Sequence, residues 1–199
     1  ASAITGEVTL RRLVKEALRI LLSHASIKRR DGFAGAAHAA IFYGFVVLFI
    51  GTVVLAINTD VTERIFGWRF MTGDFYRGYS LVLDVMGIAL LSGVLAMMVR
   101  RAVIRPAKLD YARPDRAPDE PQFDRARYRW GDWVFVGGLL YLVVTGYVVE
   151  GLRIAMDDPA GTGYSPGGWA ASHVFSGLGE GTVEVLRMGL WWAHGLVAL

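Results

Sequence analysis

Four long apolar runs dominate the chain. They cover about Phe33–Ile57, Tyr79–Val99 and Trp133–Val149, and a last run from near Val185 that is still apolar at Leu199. The first three approach the roughly 20 apolar residues needed to cross a hydrocarbon core. The last is about 15 residues long with no polar stop, so it predicts a helix that continues in a longer polypeptide. Ahead of them, "LRRLVKEALRILL" sets Leu10, Leu13, Val14, Ala17, Leu18, Leu21 and Leu22 at helical spacing, with Arg11, Arg12, Lys15 and Arg19 on the other side. That pattern predicts an amphipathic helix lying in the membrane interface, or docked on a partner domain. The expected fold is therefore all-α: a cytoplasmic amphipathic segment over 1–31, then a transmembrane bundle of about four helices over 32–199.

Composition agrees. Of 199 residues 54% are hydrophobic, and the mean hydropathy of +0.39 is too high for an ordinary soluble domain. With no cysteine, the chain itself excludes disulfides, thiolate iron–sulfur clusters and thiolate zinc sites.

The net charge of +3 hides an uneven distribution. Arg11, Arg12, Lys15, Arg19, Lys28, Arg29 and Arg30 crowd the N-terminal segment, and a second basic group runs from Arg100 to Arg129. The connections at 58–78 and 150–184 hold only Arg64, Arg69, Arg77 and Arg153. The positive-inside rule then predicts a cytoplasmic N-terminus and outward-facing 58–78 and 150–184 loops. The 150–184 stretch, "GTGYSPGGWAASHVFSGLGEGT" included, reads as loop or short interfacial helix. Its "GLGEGT" follows no strand, which argues against a phosphate loop. The Pro-rich, mixed-charge stretch near 105–130 reads as a connector or partner-docking segment.

Ionisable groups within the spans are candidate sites, because burying them in lipid is costly. His38, in "GAAHAAIFYG", lies near the cytoplasmic end of the first span, and His194, in "LWWAHGLVAL", lies within the fourth. Each is either an axial ligand of b-type haem iron or a histidine hydrogen-bonded to a carbonyl or hydroxyl across the bundle. At helical rise their depths differ by roughly 9 Å. Asp84, in "SLVLDVMG", can orient a ligand or be a satisfied core acid. Glu150 and Arg153 can pair along one helix face, or border a quinone headgroup or haem propionate. His24 and His173 read as solvated, with proton exchange at a quinone pocket a second role for His173. The glycines Gly44, Gly51, Gly87, Gly93, Gly137 and Gly138 allow close helix approach or room for a flat macrocycle.

The succession "GAAHAAIFYGFVVLFIGT", "YSLVLDVMGIALLSGVLAMMVRR", "TGYVVEGLRIA" and "LWWAHGLVAL" resembles the N-terminal membrane domain of iron–sulfur oxidoreductases related to heterodisulfide reductase, of the electron-transfer-flavoprotein:menaquinone oxidoreductase type. That module is similar to the haem b gamma subunit of nitrate reductase. The resemblance covers nearly all of residues 30–199. It implies a membrane electron-transfer domain carrying haem b, with His38 and His194 as metal ligands and Asp84, Glu150 and Arg153 near the cofactor. Quinone would be the substrate and membrane lipid the surroundings. Iron–sulfur clusters would sit in a cytoplasmic partner or a following C-terminal domain, at a bacterial inner (cytoplasmic) membrane. Leu48 stands where the nitrate reductase subunit has a second histidine. The alternative is a haem-free subunit anchoring a larger complex.

Overall fold

The computed structural model describes residue 15 and residues 31–104, 125–157 and 162–198, with side chains of 125–129 excepted. Apart from Lys15 and Asp31, the amphipathic segment at 1–31 lies outside the described residues, as do His24 and most of the 105–130 connector. The described chain is largely helical, with no strand among the described residues.

Helix α1 spans Gly32–Ala56. Asp31 starts it, with extended backbone and a carboxylate that accepts the Ala34 N–H at 3.0 Å. The helix does not stop where the apolar run stops. It widens into π-helical turns over Ile57–Glu63, tightens again as α2 (Arg64–Phe66) and ends at Gly67, whose φ of +71° suits a residue without a side chain. Buried Asn58 fixes the return: its Oδ1 accepts the N–H groups of Phe70 and Met71, both at 3.1 Å. Helix α3 (Gly73–Val99) begins six residues before the expected Tyr79 and passes into π-helical turns at Arg100–Ile104. Helix α4 covers Arg125–Asp157, α5 covers Pro166–Phe175 and α6 covers Glu180–Ala198. Hydropathy marks the lipid-facing middle of such helices, and polar residues continue them beyond it on both sides.

Three helical stretches have the length and apolarity to cross a bilayer: Gly32–Phe66, Gly73–Ile104 and Trp130–Asp157. The expected fourth span is a helix too, α6. With Glu180, Glu184 and Arg187 near its start it falls short of that standard over the described residues.

Helix α1 packs along α3, α3 against α4, and both α5 and α6 lie on α4. Small residues set the closest approach. Ala37, Gly44 and Gly51 recur every seven residues on α1, the repeat of a shallow left-handed crossing. A methyl on Gly44 would fall 2.8 Å from Leu90 Cβ, and one on Gly51 would fall 2.5 Å from Leu83. Gly93 meets the Ala37 carbonyl and Gly87 meets the Tyr147 ring, whereas Gly137 and Gly138 face open space. Leu90, Val94, Leu139 and Val143 form the core between α3 and α4, with Ile41 and Leu48 of α1 packed on it. Large apolar side chains such as Phe45, Phe49, Val85 and Phe135 point outward, the inverse of a water-soluble domain and the expected face toward lipid. Only 11% of the most apolar window of α1 is buried, against 28% for α3, so much of α1 faces outward.

Candidate functional site

One end of the bundle is held by charge. The Asp31 carboxylate caps α1 and pairs with Arg100 at the end of α3, and Arg101 reaches Asp132 of α4 at 2.9 Å. The Arg100 guanidinium also lies 5.7 Å from the Phe33 ring, and its Nη1 is buried without a hydrogen-bond partner among the described residues. His38 sits one to two turns along α1 from this basic end, on an exposed face.

The opposite, loop end is organised around Asp84. This buried carboxylate of α3 accepts three hydrogen bonds from the start of α5: Ser165 Oγ to Oδ1 at 3.0 Å, Gly168 N to Oδ1 at 3.1 Å and Gly167 N to Oδ2 at 2.9 Å. The first N–H groups of a helix have no partner within it and carry the positive end of its dipole. Here the carboxylate that satisfies them comes from a different helix, because Ser165 makes no cap of its own. Pro166 at the first position wastes no donor. The glycine pair follows from the same closeness: a Cβ on Gly167 would stand 2.5 Å from the Tyr147 ring, and one on Gly168 would stand 2.6 Å from Glu150 Cγ. Tyr147 OH donates to the Asp84 carbonyl at 2.6 Å and ties α4 into the same knot.

Beside this knot, Glu150 and Arg153 form a two-pronged ion pair, Nε to Oε2 at 2.9 Å and Nη2 to Oε1 at 2.7 Å. Tyr76 of α3 lies within electrostatic reach of both charges. Asp84, Glu150 and Arg153, singled out separately in the sequence, therefore belong to one neighbourhood.

His194 lies deeper, half-buried against α4. Its Nδ1 is 2.8 Å from Thr145 Oγ1, and its Cε1 packs over Gly146, 3.6 Å from where a Cβ would stand. The Thr145 hydroxyl has one proton, and the Tyr141 carbonyl four residues back accepts it at 2.7 Å. Oγ1 is thereby left as acceptor, so Nδ1 carries the imidazole proton and the Nε2 lone pair is free to act. An imidazole held by one nitrogen and presenting the other is the arrangement that orients a metal ligand, and it fits one axial position of a haem iron.

The structure does not bring His38 and His194 together. The neighbour contacts of Tyr147, Gly87, Leu90 and Gly44 put Thr145, and His194 with it, near the level of Leu48, while His38 is near the level of Gly93. Among the described residues no group of three or more metal-ligating side chains exists. Trp191 and Trp192 stack edge to face at 5.0 Å on the exposed side of α6. His173 is exposed on α5, its Nδ1 2.9 Å from the Trp169 carbonyl. Sequence reasoning missed Thr145, Tyr147, Ser165 and the two glycines. Of these only "SPGG", a serine–proline helix start with glycines inside it, carried a readable signal.

Comparison with known proteins adds a direction. Over 179 residues, 85% of the chain, it is 30% identical to the EtfAB:quinone oxidoreductase of Syntrophomonas wolfei, of which it spans 22%. It is 27% and 26% identical, over 67% of its length, to one of the subunits of the dihydromethanophenazine:CoB–CoM heterodisulfide reductases of Methanosarcina acetivorans and Methanosarcina barkeri. The chain is a distant relative of both kinds. It covers about a fifth of the first protein and 44% of the other two. No family model and no solved structure matches it.

Proposed function

We propose that the chain is the membrane electron-transfer part of a quinone-linked iron–sulfur oxidoreductase, holding b-type haem and passing electrons between an iron–sulfur domain or subunit and a membrane quinone. The observation that carries this reading is His194: an imidazole among apolar helices, fixed through Nδ1 by Thr145 and offering Nε2. The names of the distant relatives support the quinone and heterodisulfide reductase direction. Haem bound there would supply one-electron storage within the hydrocarbon layer. The protein's own work is to orient the ligand nitrogen, to exclude water with the α4–α6 packing, and to hold charge at the Glu150–Arg153 pair beside the outer loop.

His38 is the second ligand position. The depth difference speaks against one haem shared by both histidines. The basic end faces the cytoplasm in this reading, by the positive-inside rule, at a bacterial cytoplasmic membrane. The haem b gamma subunit of nitrate reductase is the functional analogue.

The Thr145–His194 contact also suits a haem-free anchor, and one measurement separates the two. A reduced-minus-oxidised visible spectrum of the purified protein should show a b-type signal. His194→Ala should remove it, or halve it if His38 holds a second haem. A folded protein with no such signal refutes the electron-transfer reading and leaves an anchor.

A further inference from the structure

Arg187 is on the same face of α6 as His194, two turns back and about 10 Å along the axis. It is half-buried, and its Nε is shut away from solvent with no hydrogen-bond partner among the described residues. None of the ion pairs found among those residues includes it. The acids of the loop end described above, and Glu184 on the same helix, do not pair with it. Glu150 spends both oxygens on Arg153, Asp84 is taken up by α5, and Glu184 is exposed. A guanidinium at the edge of a bilayer with no counter-charge is costly, and a bound anion relieves that cost. Its fork of N–H groups matches a carboxylate.

We propose that Arg187 is the anchor for a carboxylate of the macrocycle that His194 ligates, so that one face of α6 holds both the metal and the rim of the same ligand. This rests on the haem reading above and deepens it: the cation sets the orientation of the macrocycle, with its acidic edge toward the start of α6. The spacing supports this, because two helical turns, about 10 Å, come close to the distance from the centre of a porphyrin to its carboxylates. The free His194 Nε2 and the unpartnered Arg187 Nε are independent observations, and a ligand with a metal centre and a peripheral carboxylate accounts for both.

The test compares iron protoporphyrin IX with its dimethyl ester, which keeps the metal and lacks the carboxylates. Full-length protein produced without haem is titrated with each in detergent, followed by visible absorbance and by quenching of tryptophan fluorescence. Wild type should bind the acid about tenfold more tightly than the ester, the size of one charge-assisted hydrogen bond. Arg187→Gln should bind the two alike, and Arg187→Lys should keep part of the preference. Arg187→Met serves if the glutamine variant is poorly folded, and the ester comparison in wild type needs no variant. A tenfold preference that survives in Arg187→Gln overturns the proposal and leaves the haem reading intact. Wild type that gives no b-type spectrum with either porphyrin overturns both. Equal binding of acid and ester by wild type, with a co-purifying phospholipid that Arg187→Gln loses, assigns the cation to a lipid phosphate and overturns the proposal.

Discussion

Replacing Asp84 with alanine should release α5 from the bundle. The carboxylate meets three donors, of which Ser165 and Gly168 are buried and Gly167 is half-buried. A buried donor left without a partner costs about 1–3 kcal/mol, and water entering the space left by the side chain recovers part of that, so a net loss of about 3 kcal/mol is expected. Since each 1.4 kcal/mol is tenfold in an equilibrium, local opening of α5 should become about a hundredfold more frequent. Hydrogen exchange read on residues 162–175 reports this directly. The α1–α3 contact at Gly44 and Leu90 is the internal control, because its exchange should not change. Asp84→Asn should lie between, since an amide can still accept from Ser165 or Gly168 but turns its own donors toward Gly167. If the 162–175 segment exchanges within about threefold of wild type in Asp84→Ala, the carboxylate is not what holds it.

Four further outcomes follow from the same geometry. Gly44→Ala should destabilise the α1–α3 pair by about 1–3 kcal/mol, because the methyl meets Leu90 Cβ and the Met86 carbonyl. Gly138→Ala, with nothing within 4 Å, should be neutral or mildly stabilising, and thermal melts in detergent compare the two. Thr145→Val keeps the shape and removes the acceptor at His194 Nδ1, so on the proposed haem reading porphyrin titration should show affinity about tenfold lower; unchanged affinity would dismiss Thr145 as the orienting group. Glu150→Gln breaks a pair about 30% exposed on each side, so about 1 kcal/mol of stability should go, with a smaller effect in high salt.

Much of the architecture was legible because lipid makes helix middles apolar and their junctions basic. The ends were not. Asn58 carries the helix past the apolar run and pins the returning chain through Phe70 and Met71, an interaction that no local pattern announces. Glu150 and Arg153 pair as their spacing of three suggests, since both ends of that contact are local. Asp84 was recognisable as costly, but its partners are more than eighty residues away in sequence and most are backbone amides, which have no letter of their own. Thr145 and His194 were hidden for the same reason, being joined only by the register of two packed helices.

The two ends of the bundle should also answer differently to ionic strength. At the Asp31 end, α1, α3 and α4 are joined by pairs of opposite charge within reach of solvent, so added salt should loosen them. At the Asp84 end the donors are a hydroxyl and backbone amides held on a buried acceptor, which mobile ions hardly reach. A salt ramp therefore acts as a selective key. It should loosen the start of α1 from the ends of α3 and α4, while the half that carries His194, Glu150 and Arg153 stays closed.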